Sequence, residues 1–95
     1  MKKYEVMFIV KPDAQEEVLK KSFEDIKNVF VKDGGTILEE KDLGNKELAY
    51  EVDKYNKGHY FWFIANANET TIKEFDRAAR LNESIIRFIC VKVGE

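Results

Sequence analysis

The apolar residues of this chain recur at two spacings, every second residue or about every 3.6 residues. The order in which these spacings follow one another limits the fold more than any single residue does. Tyr4 to Val10 alternates and reads as a strand. Pro12-Asp13 breaks it, and Asp13 with Glu16 three residues on forms a capping-box variant. Val18, Leu19, Ser22, Phe23, Ile26, Val29 and Phe30 follow at helical spacing, which predicts a helix from about Ala14 to Lys32, ended by Gly34-Gly35. A β-rich stretch runs from Thr36 to about Val52 and is interrupted at Gly44-Asn45. That pair is either a tight type II′ hairpin turn or a bulge in one long, bent strand. "DKYNKG", residues 53–58, has the composition of a hairpin loop, and "HYFWFIANA", residues 59–67, is the most strand-like segment of the chain. Asn68 or Thr70 caps a second helix carrying Ile72, Phe75, Ala78 and Ala79. Leu81-Asn82 closes it, and Ile85 to Val93 is a last strand.

Strand, helix, strand, strand, helix, strand is the split-βαβ, ferredoxin-like order. It is an α+β fold with a four-stranded antiparallel sheet and two helices on one face. With 95 residues and no linker or repeat, residues 1–95 are expected to form one domain. Cys90, in the apolar run "IIRFICVKV", reads as a buried, inert thiol, and a single cysteine forms no intrachain disulfide. One cysteine and one histidine, His59, leave zinc sites and cysteine–histidine nucleophile pairs without parts. No apolar stretch approaches the roughly 18 residues of a membrane span. "MKKYEVMFIV" has a signal peptide's charge and apolarity, but charge and Pro12 follow at once with no small-residue cleavage site, so a cytoplasmic protein is expected. The net charge of −2 lacks the basic excess of a free-standing RNA binder. Any basic surface is therefore local, which favours a protein at work inside an assembly.

Alternation assigns faces. In the first strand Tyr4, Val6, Phe8 and Val10 form an apolar row that should face the helices. Lys3, Glu5, Met7 and Ile9 form the open row. In the last strand Ile86, Phe88 and Cys90 are the inner row and Arg87, Ile89 and Val91 the open one. In the third strand the hydroxyl of Tyr60 and the indole N–H of Trp62 suit the accessible face, with Ile64 beside them. The open face then carries an apolar patch of the kind that receives a protein or RNA partner.

"KGHYFWFI", Lys57 to Ile64, partly matches the first ribonucleoprotein motif of RNA-recognition domains, which stack bases on the open sheet face. His59 stands where that motif has Phe or Tyr, and Tyr60 where it has a small residue. The match would also turn His59, Phe61 and Phe63 outward, opposite to the alternation. A free-standing single-stranded RNA-binding domain is thus the alternative reading. An acylphosphatase-like enzyme would need a phosphate-cradling loop with an arginine near the first turn. Lys11-Pro12-Asp13 is not one, since Pro12 has no N–H to donate. No catalytic residue, metal ligand or cofactor is expected.

"MKKYEVMFIVKPD", "LGNKELAYEV", "KGHYFWF" and "FDRAARLNESIIRFICVKV" stand in the order and spacing of the bacterial small-subunit ribosomal protein six family, which the chain resembles over nearly its whole length. The resemblance implies the same ferredoxin-like fold and places Gly44-Asn45 inside one long second strand. It implies a structural constituent of the small ribosomal subunit, bound beside ribosomal protein eighteen on the central domain of the small-subunit RNA; the isolated protein is expected to be a monomer. The sequence departs from the family's pattern after Gly44, where Asn45, Lys46 and Glu47 replace paired basic residues, and at Glu51, which replaces a proline. On this reading the RNA contacts are Lys2, Lys3, Lys46, Lys54 and Arg87, acting mainly on phosphates. The protein contacts are Tyr50, Tyr60, Trp62, Ile64 and Ile89, the aromatics among them suiting an interface core.

Overall fold

The computed structural model describes residues 1–94. Its elements are β1 (Lys2–Val10), α1 (Glu16–Lys32), β2 (Thr36–Val52), β3 (Tyr55–Ala67), α2 (Glu69–Leu81) and β4 (Ile85–Lys92). The strands form one antiparallel sheet in the order β2-β3-β1-β4. This is the ferredoxin-like arrangement that the periodicity predicts.

The inner row of β1 drives the packing. Val6, Phe8 and Val10 are fully buried, with Phe61, Phe63, Ala65 and Ala67 of β3, against Ile26 and Phe30 of α1 and Phe75 and Ala79 of α2. Phe30 meets Phe63 edge-on at 5.2 Å between centroids, and Phe75 meets Phe88 the same way at 5.5 Å. Such pairs add to the roughly 1.5–3 kcal/mol that each fully buried large apolar side chain contributes. Lys27 ties α1 to the outer strand through Glu40 of β2 at 2.8 Å, with Glu24 at 3.0 Å. Burial works against the Lys27 ammonium, but the two carboxylates outweigh it and hold its pKa above the ordinary lysine value.

Four details differ from the sequence reading. The N-cap of α1 is Gln15, with no side-chain cap, so Asp13 closes no capping box. Glu16 and Glu17 in the first turn still complement the positive helix end. The hairpin loop shrinks to Asp53 and Lys54, both at positive φ (49° and 71°), and Tyr55 to Gly58 belong to β3. A two-residue turn with both residues left-handed is one of the turns whose twist matches that of the strands it joins. In β4 the register shifts beside Val10, so that Ile85 rather than Ile86 joins the core. Finally, Ile9 lies on the open row and yet is only 6% exposed, because the β2–β3 hairpin covers it.

Two irregularities place that hairpin. The first is a bulge at Gly44, whose φ of +77° suits glycine. Asp42 pairs with Phe61 and Gly44 with Tyr60, so Leu43 is the extra residue. The structure thus selects the bulge over the hairpin turn at Gly44-Asn45. The second lies between the pairs Glu47–Lys57 and Val52–Tyr55, where Leu48 to Glu51 oppose Asn56 alone and bow out of the ladder. Gly58 permits the close approach this needs, since a Cβ there would lie 2.2 Å from Cγ2 of Ile9.

Candidate binding face

The open face is a lattice set by register. Antiparallel pairs put Trp62 of β3, Met7 of β1 and Ile89 of β4 in one row across three strands. Tyr60, Ile9 and Arg87 form the next row toward the hairpin, and Ile64, Glu5 and Val91 the row on the other side. The bowed segment of β2 stands over one end of this lattice. Leu48, Ala49, Tyr50 and Val52 wall a cleft of about 260 Å³ whose floor holds Met7, Ile9 and Ile89. Arg87 sits at its rim with the guanidinium carbon 5.4 Å from the Tyr50 ring centroid, within cation–π range.

Trp62 is half-buried, not free. Its indole N–H donates to a carboxylate oxygen of Glu5 at 2.7 Å, and the Lys41 ammonium lies 5.7 Å from its ring. Glu5 thus satisfies the one polar atom of an otherwise apolar side chain. Tyr60 and Ile64 are half-buried on the same face, Ile89 is 45% exposed and Tyr50 58% exposed. All five residues expected to meet a protein partner therefore share one surface, four on the lattice and Tyr50 above it.

The five expected RNA contacts do not share one patch. Lys46, Lys54 and Arg87 belong to the hairpin end of the molecule, Lys54 at the tip of the turn. Lys2 and Lys3 pair with Ala67 and Asn66 at the opposite end of β1, while Val10 pairs with His59 at the hairpin end. Eight residue steps at about 3.3 Å each separate the two groups by roughly 26 Å. Lys2, Lys3, Lys46, Lys54 and Arg87 are all exposed.

Leu48, Ala49 and Val52 had no signal in the alternation, because a bowed segment breaks the period that reveals faces, whereas alternation put Glu5 and Trp62 on one face without showing their bond. Phe61 and Phe63 are 2% and 0% exposed, so the aromatic positions of the ribonucleoprotein-like "KGHYFWFI" face the core and offer bases no platform. Cys90 is only half-buried, packed beside the core, and burial pushes its thiol up to about 11. Among the described residues no group of three or more His, Cys, Asp or Glu is placed to hold a metal, and no helix is long and apolar enough to cross a membrane.

A four-stranded sheet with helices on one side, an apolar lattice on the other and a hairpin arm over it defines a small βαββαβ protein built around a binding surface. Comparison with known proteins specifies the class. The family described as Ribosomal protein S6 matches residues 3–92. The small ribosomal subunit protein bS6 of Acholeplasma laidlawii is 42% identical over 95 residues, covering 100% of both chains. That of Phytoplasma australiense is 41% identical over 92 residues, covering 97% of this chain and 99% of its own. The crystal structure of 30S ribosomal protein S6 from Thermotoga maritima superposes with a TM-score of 0.91 at 27% identity, covering 97% of this chain and 87% of that one. An uncharacterized protein from the same organism shares the fold alone, with a TM-score of 0.62 at 17% identity. The chain belongs to the ribosomal protein S6 family of the small ribosomal subunit, a family of structural ribosomal proteins and not of enzymes.

Proposed function

We propose that the protein, folded as a single cytoplasmic domain that is monomeric in isolation, binds small-subunit ribosomal RNA jointly with ribosomal protein eighteen, its open sheet face and hairpin arm forming the shared surface. The observation that carries this reading is the row Trp62–Met7–Ile89, an apolar line across three strands with no cover from the chain's own helices. Tyr50, Tyr60, Trp62, Ile64 and Ile89 are the residues assigned to the protein partner. Lys46, Lys54 and Arg87 contact RNA beside that partner, and Lys2 and Lys3 contact it at the far end of β1. With a net charge of −2, the chain alone neutralises too few phosphates for tight binding. The paired protein supplies the rest.

The test is a titration of a central-domain RNA fragment with the chain alone, with protein eighteen alone and with both. Binding by the pair that exceeds either component, with a shallow salt dependence for this chain alone, is expected. Nanomolar binding of random-sequence RNA by the isolated chain at physiological salt would favour a free-standing RNA-binding domain instead.

A further inference from the structure

His59 lies on the helix side of β3, away from the binding face, yet it touches the bulge that directs the hairpin arm. Its Nε2 is hydrogen-bonded to Oδ1 of Asp42, and the same oxygen accepts the backbone N–H of Gly44 at 2.9 Å. One carboxylate oxygen thus closes the local turn through Gly44 and fastens it across to β3. The His59 side chain is 13% exposed and its ring lies 4.7 Å from that of Phe61. Phe61 is itself part of the core, so the clamp is anchored on rigid packing. Among the described residues Nδ1 of His59 is buried without a hydrogen-bond partner. Nε2 is therefore the only ring nitrogen with a partner, and a proton there donates to Asp42. Glu16, Lys20 and Glu24 of α1 line the same groove from the other side.

We infer that His59 is a positioning residue: through Asp42 it fixes the Gly44 bulge and thereby holds the hairpin arm, with Tyr50, over the open face. Only three ladder pairs, Asn45–His59, Lys46–Gly58 and Glu47–Lys57, separate the bulge from the bowed segment that walls the cleft. A change of strand direction at Gly44 is carried through those pairs to Leu48 and Tyr50. The consequence for partner binding rests on the function proposed above, whereas the clamp itself does not.

The experiment compares His59→Leu, which removes the donor, with His59→Gln, whose side-chain amide places an N–H close to Nε2. Native-state hydrogen exchange reads the Gly44 amide, NMR contacts between the Tyr50 ring and Arg87 read the arm, and calorimetry reads the affinity for ribosomal protein eighteen. His59→Leu should speed Gly44 exchange about tenfold, weaken the Tyr50–Arg87 contacts and raise the dissociation constant about tenfold, the scale of one hydrogen bond to a charged group. His59→Gln should restore all three, which a purely structural loss of packing would not allow. Unchanged Gly44 exchange in His59→Leu, or equal behaviour of the two variants, overturns the inference. If His59→Leu does not fold, His59→Gln set against Asp42→Ala decides by the same exchange and contact readouts. Failure of the parent protein to bind protein eighteen would refute the proposed function, leaving the clamp to be judged on exchange and contacts.

Discussion

The Arg87 guanidinium carbon lies 5.4 Å from the centroid of the Tyr50 ring, joining the last strand to the hairpin arm across the open face. The two residues are 37 positions apart in sequence and belong to strands on opposite edges of the sheet. Their contact exists only because Leu48 to Glu51 leave the ladder. Tyr50 is 58% exposed, so Tyr50→Ala should lower folding stability by less than about 1 kcal/mol, the usual value of an exposed cation–π contact. The same change should weaken pairing with ribosomal protein eighteen by about 2 kcal/mol if the ring is an interface anchor. Thermal melts and calorimetric titration separate the two effects, and equal losses in both would place Tyr50 in the fold instead of the interface.

Trp62 is bonded to Glu5 at 2.7 Å, so its removal acts on the fold as well as on binding. Trp62→Phe keeps most of the apolar surface but strands the Glu5 acceptor. It should cost roughly 1.5–3 kcal/mol in urea melts, the range for a hydrogen bond to a charged group. Glu5→Gln retains an acceptor and should cost less than Trp62→Phe. The reverse order would mean that the indole N–H contributes nothing to stability.

Core and open rows should separate cleanly in denaturant melts. Phe8, fully buried, should cost about 3–5 kcal/mol when truncated to alanine. Phe88 is half-buried against Phe75 and Arg80, so Phe88→Ala should fall below that range. Ile89, 45% exposed, should cost under about 1 kcal/mol in the isolated protein. An Ile89→Ala cost equal to that of Phe8→Ala would reverse the face assignment of β4.

Burial raises the Cys90 thiol from 9.0 to about 11. The folded state holds the thiol proton more tightly than the unfolded chain does. Its contribution to stability is therefore fully present below about pH 9 and is lost as pH rises toward 11. Since the thiolate is the reacting form, labelling of folded protein at pH 8 should run about a hundredfold slower than labelling of the denatured chain. Equal rates would show that Cys90 is not shielded by the fold.

Most of the fold was legible because each element carried its own period. The inner rows of β1 and β3 and the two helices followed from spacing and local chemistry, and of the two candidate caps, Asn68 and Thr70, Asn68 accepts the Thr71 N–H at 2.9 Å. The hairpin loop was placed at "DKYNKG", but its two-residue length was not legible, since that composition does not show that Tyr55 to Gly58 continue β3. Ile86 was misplaced because a register shift of one residue reverses a face without any mark in composition. The lattice residues Tyr60, Trp62, Ile64 and Ile89 were found by alternation, and Tyr50, Lys46 and Lys54 through the family resemblance. The roof of the cleft was missed because Leu48, Ala49 and Val52 gain their role from a bow in β2, a tertiary feature. The His59–Asp42 clamp joins residues 17 apart, and the sequence offers His59 as a metal ligand, a catalytic partner or a base-stacking position, none of which points to Asp42.

The open face as the docking surface for ribosomal protein eighteen is tested most directly by calorimetric titration of that protein into the parent chain and into Ile89→Glu. Ile89 ends the Trp62–Met7–Ile89 row on edge strand β4, beside Met7, exposed enough for a carboxylate to remain solvated in the free protein. The variant should therefore melt within a few degrees of the parent, yet bind protein eighteen at least about thirtyfold more weakly, the factor that corresponds to losing about 2 kcal/mol at an interface centre. A folded Ile89→Glu protein that binds protein eighteen with the parent's affinity would contradict the account.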